Sequence, residues 1–257
     1  PSVSMDQQIF SLQNMLKGPK INIGALFQYR NFQAGGFYWT PDTEEMTLAV
    51  FGLLEKEISN FILQFSSRFE YLSVLPDIQY RPANLESSQL VERNFNLMSA
   101  GLAIFRNWKD WRLSFSAMLT GRSPSIEDLY SDGPHLGTYS YEIGKPTLNL
   151  EKTIGIEGTL EHYADKSEIK FTGFQNFSPN YHISSKMGDC SEAVNWNPSL
   201  GISHPCAGAD FIEWGSGSSG WLYKYQMDGY RVSIYGFESE FKYKLTNSIN
   251  LYGNMSI

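Results

Sequence analysis

Apolar and polar residues alternate along most of this chain, and the alternation has a period of two. Because successive side chains of a β-strand point to opposite faces, this period predicts strands with one apolar face and one polar face. The clearest examples are Phe61–Leu72 and Trp111–Thr120, although Met118 departs from the pattern in the second. A helical pattern is weak and confined to Leu12–Leu16. The chain is therefore predicted to be all-β.

The alternating segments number about ten, and two classes of connection join them. The predicted strands are Gln7–Lys17, Lys20–Phe32, Glu45–Glu57, Phe61–Leu72, Asn94–Arg106, Trp111–Thr120, Leu150–Tyr163, Ser167–Tyr181, Tyr230–Leu245 and Ile249–Ile257. Short turns alternate with four long connections, which are Gln33–Thr43, Ser73–Val91, Gly121–Leu150 and Ile183–Tyr223. Outer-membrane barrels have this asymmetry, with short periplasmic turns and long extracellular loops. The pattern therefore predicts a transmembrane antiparallel β-barrel, or a part of one.

The two faces of these strands have the chemistry that a barrel wall requires. The apolar residues of Phe61–Tyr71 and Trp111–Leu119 would contact lipid. The alternate residues would face a wet lumen, and they include Gln64, Arg68, Glu70, Arg112 and Ser114. Aromatic residues near strand ends, such as Trp108 and Tyr71, are typical of interfacial girdles. The alternative is that these aromatic residues form the core of a soluble sheet.

Composition narrows the class of protein further. The 257 residues carry a net charge of -7, and no basic patch is available for nucleic-acid phosphates. Met46–Leu54 is the longest apolar run, and it is too short for a membrane helix. Mean hydropathy is -0.31, which suits a barrel as well as a soluble protein. Cys190 and Cys206 enclose a polar loop and are predicted to form a disulfide in an oxidising compartment, with a catalytic thiol or metal pair as the alternative.

The long excursion Gly121–Leu150 carries an ordered series of motif residues. They are Arg122, Pro124, Ser125, Glu127, Asp128, Leu129 and Tyr130, then Ser131 to His135, then Tyr141, Glu142, Gly144, Pro146, Leu148, Glu151 and Lys152. This series resembles the barrel of a TonB-dependent outer-membrane receptor, and the Asp-Gly-Pro-His version is most similar to the zinc-uptake branch. The strand with Tyr235, Gly236, Phe237, Glu238 and Glu240, and the run Trp39–Thr43, resemble further parts of the same barrel.

The resemblance implies an active transporter in the outer membrane of a Gram-negative bacterium. Its substrate would be a scarce metal or metal complex, such as zinc, an iron–siderophore or haem, and no resident cofactor is expected. Energy would come from the TonB–ExbB–ExbD complex acting through a plug domain, and lipid and lipopolysaccharide would surround the wall. We interpret residues 1–257 as a fragment with about ten of twenty-two strands, without the plug and the C-terminal strands.

Several side chains in the long loops are candidate ligands for the transported metal. Asp132, His135 and Glu142 lie in one loop and offer oxygen and imidazole donors. His182 and His204, at or within the second long loop, are further candidates. The alternative is a solvated loop in which Asp132-Gly133-Pro134 makes a turn. His162 lies near a short turn and is predicted to be structural.

No catalytic motif of the nucleophile-elbow, zinc-protease or phosphate-loop type occurs in the sequence, so we do not expect an enzyme. Two other interpretations remain open at this point. One is a passive porin-like barrel with the same wall and no plug. The other is a soluble all-β binding domain, whose apolar strand faces would be covered by a second layer of protein.

Overall fold

A computed structural model of the chain describes residues 3–36, 39–82, 85–135, 137–138, 140–187, 211–213 and 221–257. Ten long strands build one wall: β1 Val3–Lys17, β2 Ile21–Gly36, β3 Thr43–Ile58, β4 Phe61–Pro76, β5 Arg93–Trp108, β6 Trp111–Arg122, β9 Glu151–Tyr163, β10 Ser167–Lys186, β12 Trp221–Lys244 and β13 Asn250–Ser256. Three short strands join the same sheet: β7 Asp132–His135, β8 Ser140–Ile143 and β11 Phe211–Glu213. Helix α1 spans Ile126–Tyr130, and one 3-10 turn spans Ser87–Gln89.

The long strands follow one another as an antiparallel meander. The order across the sheet is β1, β2, β3, β4, β5, β6, β9, β10 and β12, and β13 pairs with the last of these. Along the edge of β12 opposite β10, Glu238–Lys244 pairs with β13 and Tyr223–Gln226 pairs in parallel with β8. The predicted set of ten strands is confirmed, and the sheet is an open wall that fits part of a barrel.

One face of the wall is apolar and exposed. Phe65 and Phe69 on β4 are 47% and 52% exposed, and Leu113 and Phe115 on β6 are 45% and 48% exposed. We call this the outward face. No second layer of protein covers these four side chains within the described ranges, although such a layer is what a soluble sandwich requires. The predicted exposed apolar face is therefore confirmed for β4 and β6.

The opposite face of the wall, which we call the lumen face, carries ion pairs. Arg30 on β2 binds Glu45 on β3 at 2.8 Å, and Arg68 pairs with Glu70 within β4. Arg112 on β6 lies 3.7 Å from Glu161 on β9. Charged groups would be costly in hydrocarbon, so their position on this face suits a water-filled lumen. Arg68, Glu70 and Arg112 lie on the face opposite to the apolar one, as predicted.

The packed core lies at the end of the wall from which the long connections leave. Its members are Phe32, Ala34, Leu72, Val74, Leu85, Leu90, Phe95, Leu97, Ile126, Leu129, Tyr130 and Leu148. The strand residues in this set share the lumen face with the ion pairs, because Leu72 and Arg68 are separated by an even number of positions. The excursion between β6 and β9 therefore folds inward, over the mouth of the wall.

Several predicted boundaries were wrong at this same end. Most wall strands are longer than predicted: β2 reaches Gly36 inside the predicted loop Gln33–Thr43, and β12 begins at Trp221 rather than Tyr230. The extension of β2 still pairs with β1 but loses the apolar outward face, since the polar residues Asn31 and Gln33 replace it. Helix α1 was also missed. Among the described residues, no helix has the length and apolarity to cross a membrane.

Candidate functional site

Helix α1 is short, and its ends are fixed by side chains. Ser125 accepts the backbone N–H of Asp128 at 3.1 Å, and the Asp128 carboxylate accepts the N–H of Ser125 at 3.0 Å. This reciprocal capping box starts the helix after Pro124, which is itself buried. Ile126, Leu129 and Tyr130 then share one face and are at most 1% exposed. The helix is therefore held by its cap and by burial of one face.

Tyr130 anchors the helix to the neighbouring long connection. Its hydroxyl donates to the carbonyl oxygen of Val91 at 2.9 Å. Burial raises the pKa of Tyr130 to about 12, against the opposing effect of the positive charge on Arg93. The phenol therefore stays protonated and remains a donor across the physiological range of pH.

The second half of the excursion returns to α1 through a close backbone contact at Gly144. The N–H of Gly144 donates to the carbonyl of Ser131 at 2.6 Å, and the N–H of Lys145 donates to that of Asp128 at 2.8 Å. A β-carbon on Gly144 would lie 2.6 Å from the carbonyl carbon of Leu129. Only glycine permits this approach, which explains the glycine of the motif.

Beneath α1, a cluster of polar side chains joins the excursion to the wall. We call Arg122, Asp128, Glu151 and His182 the junction cluster. Arg122 donates to Glu151 at 2.6 Å and lies 4.0 Å from Asp128. Glu151 also accepts the backbone N–H of His182 at 3.1 Å. The cluster connects β6, β9, β10 and α1, so several motif residues serve the docking of the excursion.

His182 lies inside this junction, and only 1% of its side chain is exposed. Its Nε2 lies 2.8 Å from the carbonyl oxygen of Asn149, a distance that suits an N–H donor. Its Nδ1 has no hydrogen-bond partner among the described residues and is 4.0 Å from Asp128. Among the described residues, His182 therefore does not form a metal-ligand cluster with Asp132, His135 or Glu142.

The hairpin of β7 and β8 carries the remaining predicted ligands of the excursion. Nδ1 of His135 lies 2.8 Å from Oε1 of Glu142, diagonally across the hairpin. Ser140 donates to the same carboxylate oxygen at 3.1 Å. The imidazole stacks on Trp39, with ring centroids 5.3 Å apart and planes 12° from parallel. His135 is thus fixed in orientation on two sides, while 39% of its side chain stays exposed.

Asp132 belongs to the other face of this hairpin. Its carboxylate accepts the hydroxyl of Tyr141 at 2.7 Å, and its N–H donates to the carbonyl of Trp39 at 2.9 Å. Residues 132 and 135 are an odd number of positions apart, so their side chains point to opposite sides of the strand. In the described part of the chain, no three His, Cys, Asp or Glu side chains converge as a metal site would require.

The hairpin is fastened to the far side of the wall. Strand β8 pairs in parallel with Tyr223–Gln226 of β12, and Lys145 binds Asp228 at 2.7 Å. The excursion therefore leaves the wall at the end of β6, reaches β12 through the β7–β8 hairpin and returns to the wall at the start of β9. His182 and Glu151 lie on the strands that it crosses.

The other predicted residues have separate positions. Gly236 leaves room for the ring of Phe174, which a β-carbon would meet at 2.8 Å, and Glu238 faces the lumen on the same strand. Glu240 binds Lys170 at 3.3 Å. Gly133 and Pro134 are buried in β7, whereas Lys152 is exposed on β9. Glu127 contributes its backbone carbonyl to the N–H of Ser131 at the end of α1.

Three predicted positions cannot be assigned a place. Cys190, Cys206 and His204 lie outside the described residues, so the predicted disulfide and the fourth histidine stay predictions.

One local sequence pattern does indicate helix α1. The spacing Ser125-x-x-Asp128 is a capping-box signature and predicts the start of a helix. Trp39 belongs to the motif run Trp39–Thr43, but its stacking on His135 joins loops far apart in the sequence, and no local pattern indicates it. The role of Asn149 depends only on its backbone carbonyl, which any residue supplies.

Comparison with known proteins places this wall in a family. A family profile described as TonB dependent receptor-like, beta-barrel, matches residues 4–256. Solved structures of similar fold include the copper transporter OprC, at 13% identity and a TM-score of 0.66. They also include a double mutant of the hemophore receptor HasR of Serratia marcescens in complex with its hemophore HasA and heme, at 13% identity and a TM-score of 0.58. A third is the FrpB iron transporter from Neisseria meningitidis, F5-1 variant, at 9% identity and a TM-score of 0.62.

These likenesses cover 99% of this chain in each case, but only 37%, 41% and 36% of the three solved chains. The chain thus spans well under half the length of these proteins. At such low identity the likeness shows the fold alone.

Proposed function

Because the chain belongs to the TonB-dependent receptor β-barrel family, we propose that it forms part of an outer-membrane receptor that takes up a scarce metal or metal complex. The observation that supports this proposal is the wall itself, which is apolar on its outward face, charged on its lumen face and covered at its mouth by the packed excursion. A wall of this kind suits a bilayer with a wet lumen. The covered mouth suits selective capture, since binding residues commonly lie on loops held by a rigid scaffold.

The proposed orientation puts the excursion and the other long loops outside the cell and the short turns in the periplasm. This follows the loop asymmetry of outer-membrane barrels. Transport into the periplasm would draw its energy from the TonB–ExbB–ExbD complex, which is the partner that the family implies. The location would be the outer membrane of a Gram-negative bacterium.

Within the excursion, we propose His135 as a ligand of the metal substrate. Glu142 holds Nδ1, and Nε2 has no hydrogen-bond partner in the described ranges. Metal-binding imidazoles commonly use one nitrogen for the metal and give the other to a carboxylate, which fixes the ring. Asp132 and His204 stay candidates for a larger set, whereas His182 would have to leave its junction to join them.

The proposed class of substrate is a metal or a metal complex. The named structures concern a copper transporter, a receptor bound to a hemophore and heme, and an iron transporter. Copper, haem and iron complexes are therefore candidates beside zinc, which the Asp132–His135 run favours. A single oriented imidazole suits a metal whose other coordination positions are filled by its own chelator.

Titration calorimetry on the full-length protein in metal-depleted buffer tests this assignment. Zinc, copper and haemin would be titrated into the wild type, His135→Ala and the control His162→Ala, whose histidine lies at the short-turn end. We expect one of the three to bind the wild type and the control alike and to bind His135→Ala at least about tenfold more weakly. Equal affinity of wild type and His135→Ala for every probe would remove His135 from the site.

A passive porin-like barrel is the competing function, and uptake separates the two. The proposed receptor accumulates its substrate only while the proton gradient is intact. Accumulation that persists after the gradient is collapsed would favour passive flow through the wall.

A further inference from the structure

A strip of aromatic and basic side chains crosses the outward face at the short-turn end of the wall. Its members are Phe61 on β4, Arg106 and Trp108 on β5, Trp111 on β6 and His162 on β9. The register pairs each with its neighbour across the strands, so all five share one face. Ring centroids are 6.4 Å apart between Trp108 and Trp111 and 4.4 Å apart between Trp111 and His162. We call this set the basic–aromatic strip.

Arg106 is a charged residue on a face whose side chains are mainly apolar. Its direct neighbours across the sheet are Phe61 and Leu113, which are 40% and 45% exposed. It lies close to the tight turn at Lys109, at the end of the hairpin between β5 and β6. A cation on the outward face is costly at the bilayer centre but tolerated near the headgroups. Its depth therefore fits the membrane interface.

The guanidinium of Arg106 has rings as neighbours and no acid. It lies 5.2 Å from the ring centre of Phe61 and 5.9 Å from that of Trp108. Within the described part of the chain it makes no ion pair, whereas Arg112 on the lumen face is paired with Glu161. Stacking on aromatic faces leaves the N–H edge of a guanidinium available, and that edge matches phosphate oxygens.

We propose that the basic–aromatic strip binds the phosphodiester headgroup of an anionic phospholipid in the leaflet that surrounds the short turns. Arg106 would bind the phosphate, and Trp108 and Trp111 would lie at headgroup depth, where tryptophan is favoured. Lys56, exposed on β3 on the same face, adds positive charge two strands away. The inference rests on the proposed membrane location and is independent of the transported substrate.

Native mass spectrometry of the full-length protein, stripped of lipid in detergent and titrated with phosphatidylglycerol, tests the site. For Arg106→Gln we expect the dissociation constant of the first bound lipid to rise about tenfold. Arg106→Lys keeps the charge but loses the planar fork, so an intermediate value is expected. Arg112→Gln is the matched control, because it faces the lumen, and it should bind as the wild type does. Diacylglycerol, which has no phosphate, should not distinguish the variants.

Insertion of the wild type into vesicles of phosphatidylethanolamine and phosphatidylglycerol is measured in parallel, by heat-modifiable mobility. If the wild type does not insert, the membrane location is wrong, and the proposed function and the headgroup site fail together. If it inserts but Arg106→Gln binds phosphatidylglycerol as tightly as the wild type, only the headgroup site is wrong. An equal loss in Arg112→Gln would also overturn the site, because the effect would then not belong to the outward face.

Discussion

Arg122 at the end of β6 and Glu151 at the start of β9 lie opposite each other in the sheet, and the guanidinium donates to the carboxylate at 2.6 Å. The pair closes the base of the excursion that carries α1, β7 and β8. The same carboxylate oxygen accepts the backbone N–H of His182 on β10. One carboxylate therefore joins three wall strands beneath the covered mouth.

This double use of Glu151 predicts a graded response to substitution. Glu151→Gln loses the charge pair but keeps an acceptor for His182, so we expect a loss of about 1 kcal/mol in the free energy of unfolding. Glu151→Ala leaves both donors without a partner, so we expect about 2–3 kcal/mol. Urea unfolding of the full-length protein in lipid vesicles measures both. Lys152→Gln, exposed on the same strand, is the control and should stay within about 0.5 kcal/mol. Equal losses for the two Glu151 variants would contradict the proposed role of the His182 bond.

Gly144 predicts a packing defect that is confined to the mouth. In Gly144→Ala the new methyl group would overlap the backbone of α1 at Leu129, so the helix or the returning chain must move. We expect faster proteolysis within residues 123–150 and weaker substrate binding, while the wall stays folded. Gly158→Ala is the matched control, since a β-carbon there meets nothing within 4 Å. Cleavage of both variants at the wild-type rate would show that the contact is not needed.

Asp42 predicts a stability difference that depends on pH. Its carboxylate accepts the N–H of Ala34 at 2.8 Å, outside the membrane-spanning part of the wall. Burial raises the pKa of Asp42, the negative charge of Asp77 adds to this, and the Ala34 N–H opposes it. Because the pKa of Asp42 is higher in the folded than in the unfolded protein, its carboxyl contributes its full stabilisation below the unfolded-state pKa. This stabilisation is lost as the pH rises through the folded-state pKa.

The prediction follows for two variants of Asp42. Asp42→Asn keeps the acceptor without the charge, so at neutral pH it should be at least as stable as the wild type. Its advantage should disappear below about pH 3.9, where the wild-type carboxyl is also neutral. Asp42→Ala leaves the Ala34 N–H without its acceptor and should be less stable than Asp42→Asn by about 1 kcal/mol at every pH, because neither side chain titrates. Unfolding of all three proteins across the acid range measures this, and a pH-independent gap between the wild type and Asp42→Asn would contradict it.

The wall was predictable because a bilayer imposes a strict rule on side chains. Between Trp111 and Leu119 every outward position is apolar, and between Phe61 and Tyr71 only Ser67 departs from this rule, so the period of two is readable from one sequence. Beyond the bilayer this rule lapses. At Asn31–Gly36 the strand continues with polar residues facing outward, and the sequence resembles a loop although the pairing with β1 persists.

The mouth was predictable only in part, because its contacts join distant parts of the chain. The resemblance singled out Arg122, Gly144 and Glu151, and the contacts that these residues make depend on α1 and His182. Helix α1 has too few residues for a helical period to be visible. The pairing of His135 with Glu142 needs the β7–β8 register, and the separation of Asp132 from both follows from that same register.

The central claim is that one face of the wall contacts hydrocarbon and the other contacts water. Spin labels placed one at a time at Gln64, Phe65, Arg68 and Phe69, with Cys190 and Cys206 replaced by serine, test it in vesicles containing the full-length protein. We predict frequent collisions with oxygen at positions 65 and 69, and with a water-soluble nickel reagent at positions 64 and 68. Protection of positions 65 and 69 from both reagents would mean that protein covers them, and it would contradict the account.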